Sequence, residues 1–222
     1  MTAREFFDEE LNSLQNQLSE LCRFAQHALE RSLNAFETQD IQASQDIIDN
    51  DDKADLLYEE IIDYAILIIT KQQPVATDLR KIIMTIRIAT DFERVADFAV
   101  NIAKSTIRLG KKADPSMKKA LTNLHRMYEI SNRMLVDGLK SFIEVDMQLA
   151  KQVAEMDDEV DNLYGETIRE LFQLNQKHPE NIQYVTQLLF ICRYLERTAD
   201  HITNVAENTV YLVKGKHLDL NE

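Results

Sequence analysis

Apolar residues at Phe7, Leu11, Leu14, Leu18, Leu21, Ala25, Ala28 and Leu29 recur every three or four positions, the spacing of one face of an α-helix. The pattern breaks near "ETQD", residues 37–40, and resumes from about Asp40 to Lys71. A third run starts after Pro74, where Thr77 or Asp78 is placed to cap it, and reaches about Leu109 before Gly110. Residues 116–143, 146–176 and 179–213 repeat the plan. Nothing alternates with period two over a useful length, so no strand is expected. Helices of about 30 residues are roughly 45 Å long, and short connections between them make chain neighbours pack side by side. The predicted fold class is all-α, with six long helices.

The six helices form two sets of three. "ERVADFAVNIA" at 93–103 returns as "ERTADHITNVA" at 196–206, a shift of 103, with six identities in eleven positions. "DDKADLLY" at 51–58 returns as "DDEVDNLY" at 157–164, a shift of 106. The three-residue difference falls at a break between helices, "KQQPVATD" against "KHPEN". The chain therefore reads as a tandem duplication of a three-helix bundle, with residues 1–110 as the first unit and 116–214 as the second. Residues 215–222 lose periodicity and are expected to fray.

Composition narrows the function. The 222 residues include only four Gly and three Pro, which suits long helices. A net charge of −13 argues against sequence-independent binding to nucleic acid or anionic lipid. Cys22 and Cys192 lie far apart in helical patterns and read as buried thiols of a reducing cytoplasm. The longest apolar stretch, "AILII" at 65–69, is far below a membrane span, and the acidic "MTAREFFDEE" is not a secretory signal, so a cytoplasmic protein is expected.

The unusual chemistry lies in the apolar stripes. On a helical wheel with Ile82 at zero, Glu93 falls at about 20° and Asp97 at about 60°, the face shared by Ile86 and Val100. Asp51 and Asp55 interrupt the stripe of the second helix in the same way, and Asp157, Asp161, Glu196 and Asp200 repeat the arrangement in the second half. Carboxylates four residues apart repel, and burying them uncompensated costs more, so something positive is expected beside them. One candidate is a cation: four carboxylates from two helices, with the Asn101 or Asn204 amide nearby, form an oxygen-rich shell suited to Fe, Mn, Mg or Ca, with Zn less favoured. Another is arginine, from Arg80, Arg87 and Arg94 or from Arg193 and Arg197. The third is water. His201, directly after Asp200, is a further candidate for a polar contact, though a lone helical histidine is more often packed or solvated.

Rival chemistries find no support. Glu-x-x-His, the motif of carboxylate-bundle iron oxidation and storage, is absent. So are H-E-x-x-H, Gly-rich phosphate loops, G-x-S-x-G turns and Cys–His arrangements, and no enzyme is expected.

"DLRKIIMTIRIATDFERVADFAVNIAKS" and "LLFICRYLERTADHITNVAENTVYL" closely resemble the paired signature of the PhoU family of phosphate-transport accessory and regulatory proteins. The resemblance covers nearly the whole chain. It implies two similar three-helix bundles, and in some members multinuclear iron or zinc clusters, which would fall here on Asp51, Asp55, Glu93 and Asp97 and on Asp157, Asp161, Glu196 and Asp200. Mn or Mg would suit the same oxygen donors. The first motif departs from the frequent "LERIGDHA": Phe98 takes a histidine position and Ala96 a glycine one, so the first site is the weaker if that histidine serves a metal. The implied role is to repress the phosphate-starvation response when phosphate is plentiful, linking a phosphate ABC transporter to a membrane sensor histidine kinase. A homodimer that meets the inner membrane only through protein partners is expected. A metal-storage bundle and a scaffold with purely structural acids are the alternatives.

Overall fold

A computed structural model describes residues 2–110, 115–215 and 220. Among the described residues every regular element is helical: α1 (Ala3–Thr38), α2 (Ile41–Ile48), α3 (Asp52–Gln72), α4 (Ala76–Leu109), α5 (Lys118–Glu144), α6 (Met147–Lys177) and α7 (Ile182–Lys214). Short 3₁₀ turns at Pro115–Met117 and Pro179–Asn181 lead into α5 and α7.

Local chemistry sets the boundaries. Thr2 and Glu5 form a reciprocal capping box at the start of α1. Asp40 accepts from the Ala43 N–H, and Asp146 accepts from those of Gln148 and Leu149, capping α2 and α6. The turns before these caps are superposable in pattern: Gln39 and Val145 are both left-handed, and Asp40 and Asp146 donate back to the Ala35 and Ser141 carbonyls. These matches fix the register of α1 on α5 at a shift of 106. Gly110 and Gly215, with φ of 61° and 67°, end α4 and α7.

Two sequence expectations need correction. The helix expected from Asp40 to Lys71 is broken at 49–51 into α2 and α3. The Asn50 and Asp51 amides bond only three residues back, so the α-helical ladder lapses there, and Asn50 Nδ2 donates to the Asp46 carbonyl at 2.6 Å. Its counterpart α6 carries Met156 at that place and runs unbroken. The second correction is the start of α4: Val75 occupies the N-cap position without a side-chain hydrogen bond, and Asp78 instead accepts from Arg4 of α1 at 2.8 Å.

α1 packs on α3 and α4, and α5, α6 and α7 pack on one another. The halves meet along two seams, α4 against α7 and α1 against α5. One apolar core runs through both, from Leu18, Ile61 and Phe92 to Met134, Leu171 and Leu195. Burial of each such side chain stabilises the fold by roughly 1.5–3 kcal/mol. On the α1–α5 seam Gln26 donates to Asn132 at 3.0 Å, and these two residues correspond under the shift of 106, so the pair marks the pseudo-twofold axis. Of the tail, Gly215 donates to Tyr211 O and Leu220 to Glu207 Oε1; residues 216–219 and 221–222, like the 111–114 part of the joint between the halves, lie outside the described residues.

Candidate functional site: two carboxylate clusters and the seam between them

The two clusters sit where α3 meets α4 and where α6 meets α7. Glu93 is largely buried and Asp97 partly so, both from α4. Asp51, half-buried, and Asp55, exposed, approach from the start of α3. Burial first, and then the neighbouring Asp97, lift the Glu93 carboxyl above the ordinary range, with Asp55 and Asp51 adding to it and Arg94 opposing. Burial and Asp97 likewise lift Asp51, against Lys104. These couplings show that the acids of the two helices share one field. Arg94 braces the α4 pair, its guanidinium 3.5 Å from Glu93 and 2.8 Å from Asp97.

In the second cluster Asp157 and Glu196 are buried, Asp200 is partly exposed and Asp161 exposed. Burial, reinforced by Asp200 and Asp161, pushes the Glu196 carboxyl up to about 7 despite Arg193 and Arg197. Burial and Asp200 raise Asp161 as well. Arg193 donates to Glu196 Oε1 at 2.5 Å while lying 5.9 Å over the Tyr164 ring, and Arg197 stands 3.9 Å from Asp200. Glu196 Oε2 is buried and, among the described residues, accepts no hydrogen bond.

Arginine thus supplies positive charge to both α4 and α7 pairs. Arg94, Arg193 and Arg197 serve it; Arg80 instead lies over the Tyr211 ring, and Arg87 borders a cleft between the halves beside Thr90, Asn204 and Asn208. Among the described residues no three His, Cys, Asp or Glu side chains converge into a ready metal-binding group. The donor chemistry suits a hard cation, but the present rotamers give the acids to arginine.

The amides and the histidine go elsewhere. Asn101 donates to the Asp97 carbonyl of its own helix. His201 and Asn204 turn across the α4–α7 seam, where the imidazole N–H and the amide meet Asp91 Oδ1 at 2.9 and 3.2 Å. Asp91 was not singled out from the sequence, although the 103 shift contains the signal. That shift equates Asp91 with Tyr194 and Phe98 with His201. Phe98 stacks on Tyr194 with ring centroids 6.2 Å apart, so the seam holds one polar and one aromatic version of the same contact. Position 98 therefore faces the opposite half, and its phenyl replaces a seam partner.

The fold and sites define a class: a duplicated helical bundle whose halves meet along two seams, with an arginine-braced carboxylate cluster in each half. The chain belongs to the PhoU family, whose PhoU domain matches it twice, at residues 18–106 and 124–209. It is 36% identical over 220 residues to a phosphate-specific transport system accessory protein PhoU homolog of Clostridium acetobutylicum, covering 99% of each chain. Its fold matches PhoU from Pseudomonas aeruginosa with a TM-score of 0.88 at 28% identity, covering 95% of this chain and all of that one. The phosphate transport system regulatory protein PhoU from Streptococcus pneumoniae matches with the same TM-score, 0.88, at 29% identity, covering 96% and 99%. Among the described residues no helix is long and apolar enough to cross a membrane.

Proposed function

We propose that this chain is an accessory regulator of phosphate transport that represses the phosphate-starvation response, linking a phosphate ABC transporter to a sensor histidine kinase and restraining uptake when phosphate is plentiful. The observation that carries this reading is the family match in both halves, with a relative named as a transport accessory protein aligned over almost its full length. Long helical faces without a membrane span suit a protein that docks on others. In this reading residues 1–110 and 116–214 act as paired units, the chain works without catalysis as a cytoplasmic homodimer, and it reaches the membrane only through its partners. Deleting its gene is expected to derepress alkaline phosphatase in phosphate-rich medium. An unchanged reporter would overturn the reading.

A second element rests on the unpartnered Glu196 Oε2 and the raised Glu196 carboxyl. A cation, Fe or Zn with Mn or Mg as alternatives, would be held by Asp157, Asp161, Glu196 and Asp200, and in the first half by Asp51, Asp55, Glu93 and Asp97. Bound there it would neutralise the acids and tie α6 to α7. Loading requires Arg193 to release Glu196. Elemental analysis of the protein beside a Glu93, Asp97, Glu196, Asp200 to Ala variant tests this, and metal-free wild type purified without chelators refutes it.

A further inference from the structure

The break between α2 and α3 opens a cavity of about 260 Å³ that shares only Asp51 with the acid cluster of the first half. Phe24, Ala28, Ile47, Ala96 and Val100 give it an apolar floor, and His27, Arg31, Asn50, Asp51 and Lys53 supply its polar wall. Arg31 is half-buried, and His27 and Lys53 are exposed. Among the described residues none of these three forms an ion pair or a side-chain hydrogen bond. In a chain of net charge −13, two unpaired cations and an imidazole around one small cavity need a reason.

The second half shows what the same place looks like when it is closed. Under the shift of 106, Ala28 becomes Met134, which is fully buried, and Asn50 becomes Met156, which packs on the core. His27 and Arg31 become Arg133 and Asp137, an ion pair at 3.4 Å. Lys53 becomes Glu159, which pairs with Arg126 at 3.1 Å. Thus the second half fills the volume and satisfies the charges within the chain, whereas the first leaves space and cations together.

We infer that this cavity binds a small phosphate monoester, its head group between Arg31, Lys53 and His27 and its apolar body on Phe24, Ile47 and Val100. A guanidinium offers a planar fork of donors that matches phosphate oxygens, and an ammonium adds a point charge. The floor favours an ester with an apolar or aromatic body over the bare ion, since only the ester covers it. Asp51 adds the same preference: it repels an anion lodged deep in the cavity and accepts from a hydroxyl or amino group of a ligand body.

The test is calorimetric titration of the full chain with adenosine monophosphate and with inorganic phosphate, in buffer containing EDTA. Saturable binding of the nucleotide is expected, with inorganic phosphate at least tenfold weaker. Arg31→Ala with Lys53→Ala should weaken nucleotide binding tenfold or more. Ala28→Met, which imports the second half's plug and keeps every charge, should abolish it while circular dichroism and thermal unfolding show an intact fold. Four results would overturn the inference: no saturable heat with the nucleotide, equal affinity for inorganic phosphate, binding that survives both variants, or, in a parallel titration with zinc in place of EDTA, binding seen only there. The last would place the anion on a metal at the acid cluster.

Discussion

Asp51 and Asp157 hold corresponding places in the two halves, yet Asp157 lies inside an unbroken helix and is buried, whereas Asp51 sits at the break before α3 and is half-exposed beside a cavity. Along α4 and α7 burial hardly differs, the Glu93 and Glu196 side chains being 14% and 11% exposed. Glu196 is pushed to about 7, while Glu93 is raised less, in a cluster whose α3 acids lie nearer to water. The difference teaches that the repeated motif places the acids, while the continuity of the neighbouring helix goes with the depth of one of them, Asp157 against Asp51. Asn50 against Met156 is one of the exchanges at that place: the asparagine amide turns back to the Asp46 carbonyl, and the methionine packs on the core.

The largest expected effect comes from exchanging the plug. Met134→Ala empties a fully buried site and should cost about 2–5 kcal/mol in urea unfolding. Ala28→Met enters a cavity and should change stability by less than about 1.5 kcal/mol. Equal and large losses from both would mean that the first half is packed as tightly as the second. The seam comes next. Asp91→Ala removes the acceptor of His201 and Asn204 and should cost about 1–3 kcal/mol. Pairing Asp91→Tyr with His201→Phe copies the aromatic contact and should recover most of that loss, as a double-mutant cycle would show.

Much of this was legible beforehand. Six identities in "ERVADFAVNIA" and "ERTADHITNVA" exposed the duplication, and helical periodicity gave the boundaries of α1, α4 and α7 to within about three residues. The wheel put Glu93 and Asp97 on the Ile82 face, and the acids of α3 and α4 do share one field. The break at 49–51 was missed because the five polar residues 49–53 between Ile48 and Ala54 read as a polar turn of one continuing helix; only the three-residue amide bonds of Asn50 and Asp51 reveal it. Asp91 was missed for a different reason. Its partners lie more than 100 residues away, and no pattern within one helix marks a residue whose role belongs to a seam.

The next prediction concerns pH and uses the raised carboxyl. Glu196 holds its proton more tightly in the folded chain, at about 7 against an ordinary 4.5, so between these values the native state binds more protons than the unfolded state. Stability contributed by this group is therefore full below about 4.5 and falls as pH rises through about 7. Glu196→Gln removes the penalty and should gain about 1–3 kcal/mol at pH 8, with no gain at low pH. Glu93→Gln should shift stability in the same direction by less. Equal slopes from the two variants would erase the contrast between the halves.

The smallest effect should come from the arginine brace of the first cluster. Arg94 is half-exposed, so its ion pairs with Glu93 and Asp97 are screened by water, and Arg94→Gln should change stability by no more than about 1 kcal/mol. Its electrostatic signature should be clearer than its thermal one. Arg94 opposes the upward shift of Glu93, so removing it leaves burial and Asp97 unopposed, and the Glu93 carboxyl should titrate at higher pH in carbon-detected NMR. A Glu93 titration that stays put would show that Arg94 only rests on the surface of the pair. The charge balance of the first cluster would then depend on Lys104, which already opposes the shift of Asp51.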